Sequence, residues 1–541
     1  MPIIPVAEWA PDQPDLADFT NVATNVVALT GESYGPLLAL VPFSSNQIEG
    51  VCLGMGFGED SAGNNHTFVG TATHLEILTS GSTTWTDVSG TTYGLTGNNT
   101  WHFAQYNNLM LATDFADPIQ TFNMISSTHF SNLASAAPLA RYIAVAKTFA
   151  IVANTYDPVS GFVPERIWWS ATGDPTNWPT PGSPTAIADQ SDYNDIVGPM
   201  GAVTGLATNL AGCDCAVFFE RGVFNMFYVG PPNIFDFYPG ANVRGCPCPN
   251  SIVSLGSTVY FRGEDGFYSY DGSQAVPIGA GKVDKWFQGI VDQSALHLVI
   301  GAPDIQNKTI GWLFRSVYAP TTQPDQIVMY RWDIQRWTSG VISTQWICRA
   351  PATEALSALS IVQGQLQLAA ISGSTSLPLA PLLTETLSDI LTEASVAIDV
   401  ESSGAYYLSY FSGQPLSAQV GTKAMQINPG YRTFVSDHVR PLVNSALTPA
   451  NLQTENTLYI LTEFGVPLST EASSAVITVA MSARNNYYDQ EIFGSEVSPN
   501  VMGDCPQRSD GRYHRGRISI PSGVWSTMFG LDVNGIRAGQ R

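Results

Sequence analysis

Residues Arg166–Trp178, RIWWSATGDPTNW, carry the decisive pattern of this chain. An aromatic β-run, Arg166 to Trp169, meets a polar turn from Ser170 to Asn177, and Trp178 closes it. Trp168, Trp169, Asp174 and Trp178 therefore read as structural residues, because aromatics suit a pleated surface and a turn Asp bonds its own backbone. The same beat of strand, tight turn and aromatic-rich strand recurs from about residue 66 to about residue 375. Upstream lie His66–Ser80, Trp101–Asp114 and Arg141–Asn154. In the second of these, Asn107-Asn108 tolerates the positive φ of a tight hairpin. Downstream lie Ala216–Gly230, Ser257–Gly272, Thr309–Tyr318, Gln326–Gly340 and Leu359–Gly373. Asp265-Gly266 and Asp271-Gly272 supply turns in the second of those units.

Each hairpin alternates inward and outward residues at period two. About six units at a spacing of roughly 40–55 residues fit the blades of a propeller. The expectation is an all-β protein, a β-propeller of about six blades with an additional β-sandwich-like platform. A single long β-sandwich is the alternative architecture.

Composition agrees with the pattern. Of 541 residues only 13% are charged while 44% are apolar, and 48 Gly and 35 Pro demand dense turns. The balance of 23 basic against 45 acidic residues gives a net charge of −22. Such a surface repels nucleic acid and anionic membranes. Two readings of the acidity stand: plain solubility, or the wall of a conduit along which DNA slides without sticking. The N-terminal stretch lacks a basic region and an apolar core, so no signal peptide is expected, and no apolar run is long enough for a transmembrane helix. An odd count of 7 cysteines fits reduced thiols and assembly in a cytoplasm.

The expected organisation runs in four parts. Residues 1–45 form an extended, proline-punctuated arm that packs on the platform. Residues 46–373 form the propeller. Residues 374–394, acidic and Leu-rich, are a linker or insertion, read either as a short amphipathic helix or as a solvated loop. Residues 395–541 form the platform. Near its end Arg508, Arg512, Arg515 and Arg517 reverse the charge of the chain. They read either as a basic face that docks on an acidic partner subunit or as edge-strand charges that blunt aggregation.

Catalytic constellations are lacking. Ser170–Trp178 departs from the Ser-x-Asp-x-Gly-x-x-Trp turn of sialidase-type propellers in order and spacing. Gly31-Glu-Ser33-Tyr-Gly35 matches a nucleophile elbow, but Pro36 follows at once and no βαβ pattern surrounds it, so a plain turn is expected. Gly54-Met-Gly56-Phe-Gly58 lacks the third glycine of a dinucleotide fingerprint and reads as a flexible turn. Cys213-Asp-Cys215 and Cys246-Pro-Cys248 have one intervening residue where structural zinc sites use two to four, so buried free thiols are expected rather than a cluster. No catalytic residue, metal ligand or cofactor site is assigned.

The order of these motifs resembles the tail-hub or nozzle proteins of short-tailed bacteriophages, the β-propeller family that includes packaged-DNA stabilisation proteins. The likeness rests on Phe68-Val-Gly-Thr71, Trp85-Thr-Asp-Val-Ser89, Trp101–Tyr106, Pro138-Leu-Ala-Arg141, Ile167–Ser170 with Gly173–Trp178, and Gly263–Tyr268 with Tyr270-Asp-Gly272. Lys282-Val-Asp284, Gly511–Arg515 and Gly530–Val533 continue it in co-linear order. The resemblance implies a non-enzymatic virion protein assembled in the host bacterial cytoplasm. It would form a homohexameric tail nozzle below the portal and adaptor rings. The ring would pass double-stranded DNA without sequence-specific binding, retain packaged DNA, and anchor a tail fibre, spike or needle. No membrane insertion is implied. The alternative is a propeller-type receptor-binding protein or glycosidase that acts on host glycans, marked by a carboxylate-lined axial pocket.

Overall fold

The computed structural model describes residues 3–14, 18–240, 244–350, 366–373, 380–381, 399–400, 406–435, 438–444, 450–451, 469–470, 477–486, 489–500, 502–523 and 525–537. Of the acidic stretch 374–394, only residues 380–381 fall among them, so its expected helix or loop lies outside the described residues.

The chain is a β-propeller joined to a β-sandwich. The propeller has seven blades, one more than the sequence count. Their innermost strands, in order, are Gly54–Glu59, His102–Tyr106, Leu139–Ala146, Val203–Thr208, Val253–Leu255, Ile300–Asp304 and Trp346–Arg349. The last of these returns to the first and closes the ring. Blades 1 to 5 are each four consecutive antiparallel strands. The expected hairpins fall in place, with Asn107 at φ 51° and Lys147 at φ 53° at the tips of tight turns.

The extra blade is assembled from distant segments. Trp346–Arg349, Leu368–Gly373 and Tyr406–Pro415 supply three strands, and Leu38–Pro42 from the N-terminal arm supplies the outermost. The propeller thus overruns both expected boundaries, at residues 45 and 373. A ring closed by a strand from the far end of the chain hides its cut edge, which is otherwise an open template for pairing.

Blade 1 also corrects a reading. Gly54–Glu59 is a strand rather than a flexible turn. A Cβ on Gly54 would stand 2.4 Å from the Trp101 carbonyl oxygen, and one on Gly56 2.4 Å from Phe103 Cγ. The alternating glycines let aromatics of blade 2 lie against this strand, a use of glycine for close approach. Gly31-Glu32 is the turn of a hairpin between Val26–Thr30 and Ser33–Pro36, so the expected turn is there but Ser33 already opens a strand. Ser33 is buried, with its hydroxyl 2.7 Å from that of Thr30.

Blade 6 extends into the second lobe. Its outer strand Arg336–Val341 meets Ala23–Thr24, and the sheet continues through Ala418–Gly421, Tyr513–Ile520 and Thr478–Arg484 to eight strands. A second sheet holds Ile3–Pro5, Val26–Thr30, Ser33–Pro36, Val439–Asn444 and Thr527–Val533. The two sheets share one apolar cluster, with Ile4, Val26 and Leu531 from one and Val420, Val479 and Ile518 from the other. The same cluster reaches Phe267, Trp312 and Trp337 of blades 5 and 6. Platform and propeller are therefore bound by a common core.

The eight motif residues sit in turns and strand packing within single blades. Asp174 accepts from the Thr176 amide at 2.9 Å, Trp178 donates to the Pro175 carbonyl at 2.7 Å, and Trp169 donates to the Gln190 carbonyl at 3.0 Å. Trp168 is buried beside Tyr193, 5.4 Å between ring centroids. Asp271 caps its turn by accepting from the Ser273 and Gln274 amides, and Gly272 adopts φ 92°. Asp265 accepts from the Tyr268 hydroxyl at 2.8 Å, and Gly266 leaves room for the Asp284 carboxylate.

All seven cysteines are free and buried. Cys215 packs in the core between blades 3 and 4, Cys213 and Cys246 between blades 4 and 5, and Cys248 in the cluster shared with the platform. Burial pushes the thiols of Cys52 and Cys213 up to about 12 and those of Cys246 and Cys505 up to about 11. Buried thiols that stay protonated are inert. Native protein is expected to release no chromophore from Ellman's reagent at pH 8, and denatured protein seven equivalents. Rapid labelling of native thiols would contradict the burial.

Candidate functional site at the propeller axis

The innermost strands enclose an axial cavity of about 300 Å³. Every blade contributes to its wall: Met55, Phe103, Ile143, Leu206, Ser254, Ala302 and Ile347, in blade order. Its wall mixes apolar side chains with His102, Asn250, Ser254 and Arg349, and polar atoms make up the larger part of its exposed surface. No carboxylate stands among the described residues that line it. Glycoside hydrolysis ordinarily uses two carboxyl groups about 5–9.5 Å apart, and the cavity offers no such pair.

The cavity adjoins a smaller space of about 30 Å³, with His102, Tyr142, Pro249 and Asn250 in both walls. Asp114, Arg141, Asn99 and His297 also line this space. Asp114 directly follows the strand Leu109–Thr113 of blade 2 and is 1% exposed. Its Oδ1 accepts from the Ala116 and Asp117 amides at 3.0 and 2.9 Å, while Oδ2 has no partner. Burial, with the charge of Asp117 adding to it, pushes its pKa up to about 7 against those two donors. Arg141 donates from Nη1 to Asn99 Oδ1 at 2.6 Å, and its guanidinium lies 4.5 Å over the Phe115 ring. His102 Nε2 lies 3.2 Å from the Thr100 hydroxyl, and its ring meets Tyr142 edge-on at 4.9 Å. Burial, helped by the Arg141 charge, lowers its pKa to about 4, so the ring is neutral at pH 7.

Asp114 gives a pH prediction with a definite sign. The folded chain keeps a proton that the unfolded chain releases, so wild-type stability falls as pH rises from about 4 to about 7. Asp114→Asn keeps the oxygen that caps the turn and removes the buried charge. It is expected to stabilise the protein by on the order of 2–4 kcal/mol at pH 8 and to change little at pH 4. Thermal melts of both proteins across that range are the check. An equal effect at both ends would show that Asp114 is not buried as a charge.

The four candidate interface arginines separate. Arg508 and Arg512 are exposed at the platform surface. Arg515 is buried, 2% exposed, with Nη1 3.1 Å from Glu491 Oε2 and Nη2 donating to the Phe19 carbonyl at 2.5 Å. Its inward reach ties the arm to the platform and withdraws it from any docking face. Arg517 is partly buried, 3.5 Å from Glu496 Oε1, with its guanidinium 4.9 Å over the Phe493 ring. Of the four, Arg515 alone is wholly spent inside the lobe, while Arg508 and Arg512 stay at the surface. The Asp114–Arg141 space was missed because the two residues fall at the ends of separate hairpin units, and only the curvature of the blades brings them together.

No protein-family model and no curated protein matches the chain. Among solved structures, the chain is similar to YCF48 bound to D1 peptide, at 10% identity and a TM-score of 0.32, over 56% of this chain and 84% of that one. A chain of the mitotic checkpoint complex is similar at 9% identity and a TM-score of 0.34, over 62% and 91%. The computationally designed Ika8 protein is similar at 7% identity and a TM-score of 0.34, over 62% and 93%. The propeller is defined by its own seven sheets; these distant likenesses add nothing on function.

Proposed function

We propose that the chain is a non-catalytic structural protein of a short-tailed phage, a tail-nozzle subunit that assembles as a ring and conducts DNA. The observation that supports this most is the continuous eight-stranded sheet, which fuses propeller and platform into a single load-transmitting body. The axial cavity, with no carboxylate among its described lining residues, favours scaffold over glycosidase. A duplex cannot enter a cavity of about 300 Å³, so in this reading the conduit forms between copies and not through the propeller. The acidic excess of the chain then suits a wall that DNA passes without lasting phosphate contacts. Among the described residues no helix is long and apolar enough to cross a membrane.

Mass photometry of the purified chain with the portal–adaptor complex of the same particle tests the assembly. Uptake of six copies per complex is the expected result. A chain that stays apart from the complex, and instead binds host glycans on an array, would replace the nozzle reading with receptor binding.

A further inference from the structure

The platform carries a three-stranded sheet in the order Ser509–Gly511, Thr433–Val435, Ile536–Arg537. Thr433, Val435, Ser509 and Gly511 are buried, so the residues that alternate with them face outward. Register sets Asp510, Phe434 and Ile536 side by side in one outer row. Phe434 is 39% exposed and Ile536 56%. Arg508 and Arg512 share the outer face with Asp510 at period two, and Arg432 donates to Asp510 at 2.8 Å. Beside them the Arg537 guanidinium lies 4.4 Å over the exposed ring of Tyr431. These four arginines against one aspartate leave a local charge of +3, on a chain whose net charge is −22. Arg508, Arg512 and Arg537 have no carboxylate partner among the described residues. Exposed apolar side chains among unpaired arginines suit a protein contact, where Arg and aromatics are enriched.

The chain itself holds the complement. No Lys or Arg occurs between Arg349 and Lys423, and residues 382–401 carry Glu385, Asp389, Glu393, Asp399 and Glu401 beside Leu387, Ile390 and Leu391. We propose that the sheet face docks this acidic, Leu-rich segment of a second copy of the chain. Its carboxylates meet Arg508 and Arg512, and its apolar side chains cover Phe434 and Ile536. Like charge over the rest of the surface holds copies apart, so the contact selects this one face. Duplex DNA would meet the arginines and leave Phe434 and Ile536 uncovered. The contact goes beyond the nozzle reading, which names no surface joining the copies, and its failure leaves uptake by the portal–adaptor complex untouched.

Fluorescence anisotropy of a labelled peptide of residues 382–401, titrated with the full chain, tests the chemistry. The peptide is expected to bind, and to bind about tenfold more weakly once salt rises from about 0.05 M to about 0.5 M. A loss of at least tenfold is expected with the R508E/R512E chain, its folding verified by circular dichroism, and with an E385Q/D389N/E393Q peptide. Should the chain variant fail to fold, the two peptides on wild-type protein decide alone. Sedimentation velocity tests whether the segment comes from a second copy. The R508E/R512E and E385R/D389R/E393R chains should each stay monomeric, and an equal mixture should form complexes. In the mixture each reversed face can meet a reversed segment, and each native face a native one. The proposal is overturned if wild-type protein binds the acidic and neutralised peptides alike, or if the mixture stays monomeric. Tighter binding of random-sequence duplex DNA than of the peptide would overturn it too, and give the face to nucleic acid.

Discussion

A chain that lacks residues 1–45 is expected to be recovered insoluble or without cooperative unfolding, although blades 1 to 6 take none of their core strands from that segment. The deletion acts at both ends of the fold. It removes Leu38–Pro42 and so exposes the pairing edge of Tyr406–Pro415, the place where the ring closes. It also removes Ile4, Trp9, Val26 and Tyr34 from the cluster that joins platform to propeller. Fully burying one large apolar side chain stabilises by about 1.5–3 kcal/mol, and a whole domain is stable by only about 5–15 kcal/mol. Four such side chains amount to about 6–12 kcal/mol, comparable with that margin before the lost pairings of Ile3–Pro5, Ala23–Thr24, Ser33–Pro36 and Leu38–Pro42 are added. Supplying residues 1–45 as a separate polypeptide during refolding should restore part of the soluble yield. A soluble truncated chain with a single sharp melting transition would show that the arm is an appendage.

Arg166→Met is expected to destabilise the protein by about 3–5 kcal/mol, the largest effect of any single charged residue in the propeller. Arg166 is 4% exposed. Its Nε and Nη2 donate to Asp195 at 2.7 and 2.8 Å, and its Nη1 donates to Asp157 at 3.1 Å and to the Ser160 hydroxyl at 2.9 Å. The guanidinium also lies 3.8 Å from the centre of the Tyr193 ring. Methionine fills much of the volume but leaves two carboxylates without their shared cation. The backbone and hydroxyl donors of Ser160 and Val159, with Arg166, hold the Asp157 carboxyl below its ordinary pKa despite partial burial. A lowered carboxyl pKa gives stability that is present above about pH 4 and lost as pH falls through the folded value. The cost of the substitution should therefore shrink as pH falls below the ordinary carboxylate range and through the lowered folded value of Asp157. Urea unfolding of the two proteins at pH 7 and pH 3 measures it. Equal stability at pH 7 would mean that the guanidinium contributes packing alone.

Local chemistry was legible where a unit is continuous in the chain. The turn at Asn107-Asn108, the capped Asp174 and Asp271 turns and the period-two strands all lie within single blades, so near neighbours in sequence are near neighbours in space. Blade 7 was hidden for the opposite reason. Its four strands come from residues 38–42, 346–349, 368–373 and 406–415, and no repeat period survives that spacing. The strand Gly54–Glu59 was misread because glycine normally weakens a strand, and only the aromatics of the next blade reveal what the glycines admit. The platform arginines carried a charge signal without direction: Arg508 and Arg515 look alike in sequence, yet one is exposed and the other is buried against Glu491. Asp114 gave no signal, since one Asp at a hairpin end has the look of any turn residue.

The central claim is that this two-lobed β-scaffold is a wall segment of a DNA conduit. A sixfold-averaged cryo-EM map of the tail on intact particles tests it most directly. Six copies are expected around a channel below the portal, with DNA running between propellers and no density for DNA along any propeller axis. Density for the chain confined to peripheral appendages, or absent from the particle, would contradict it.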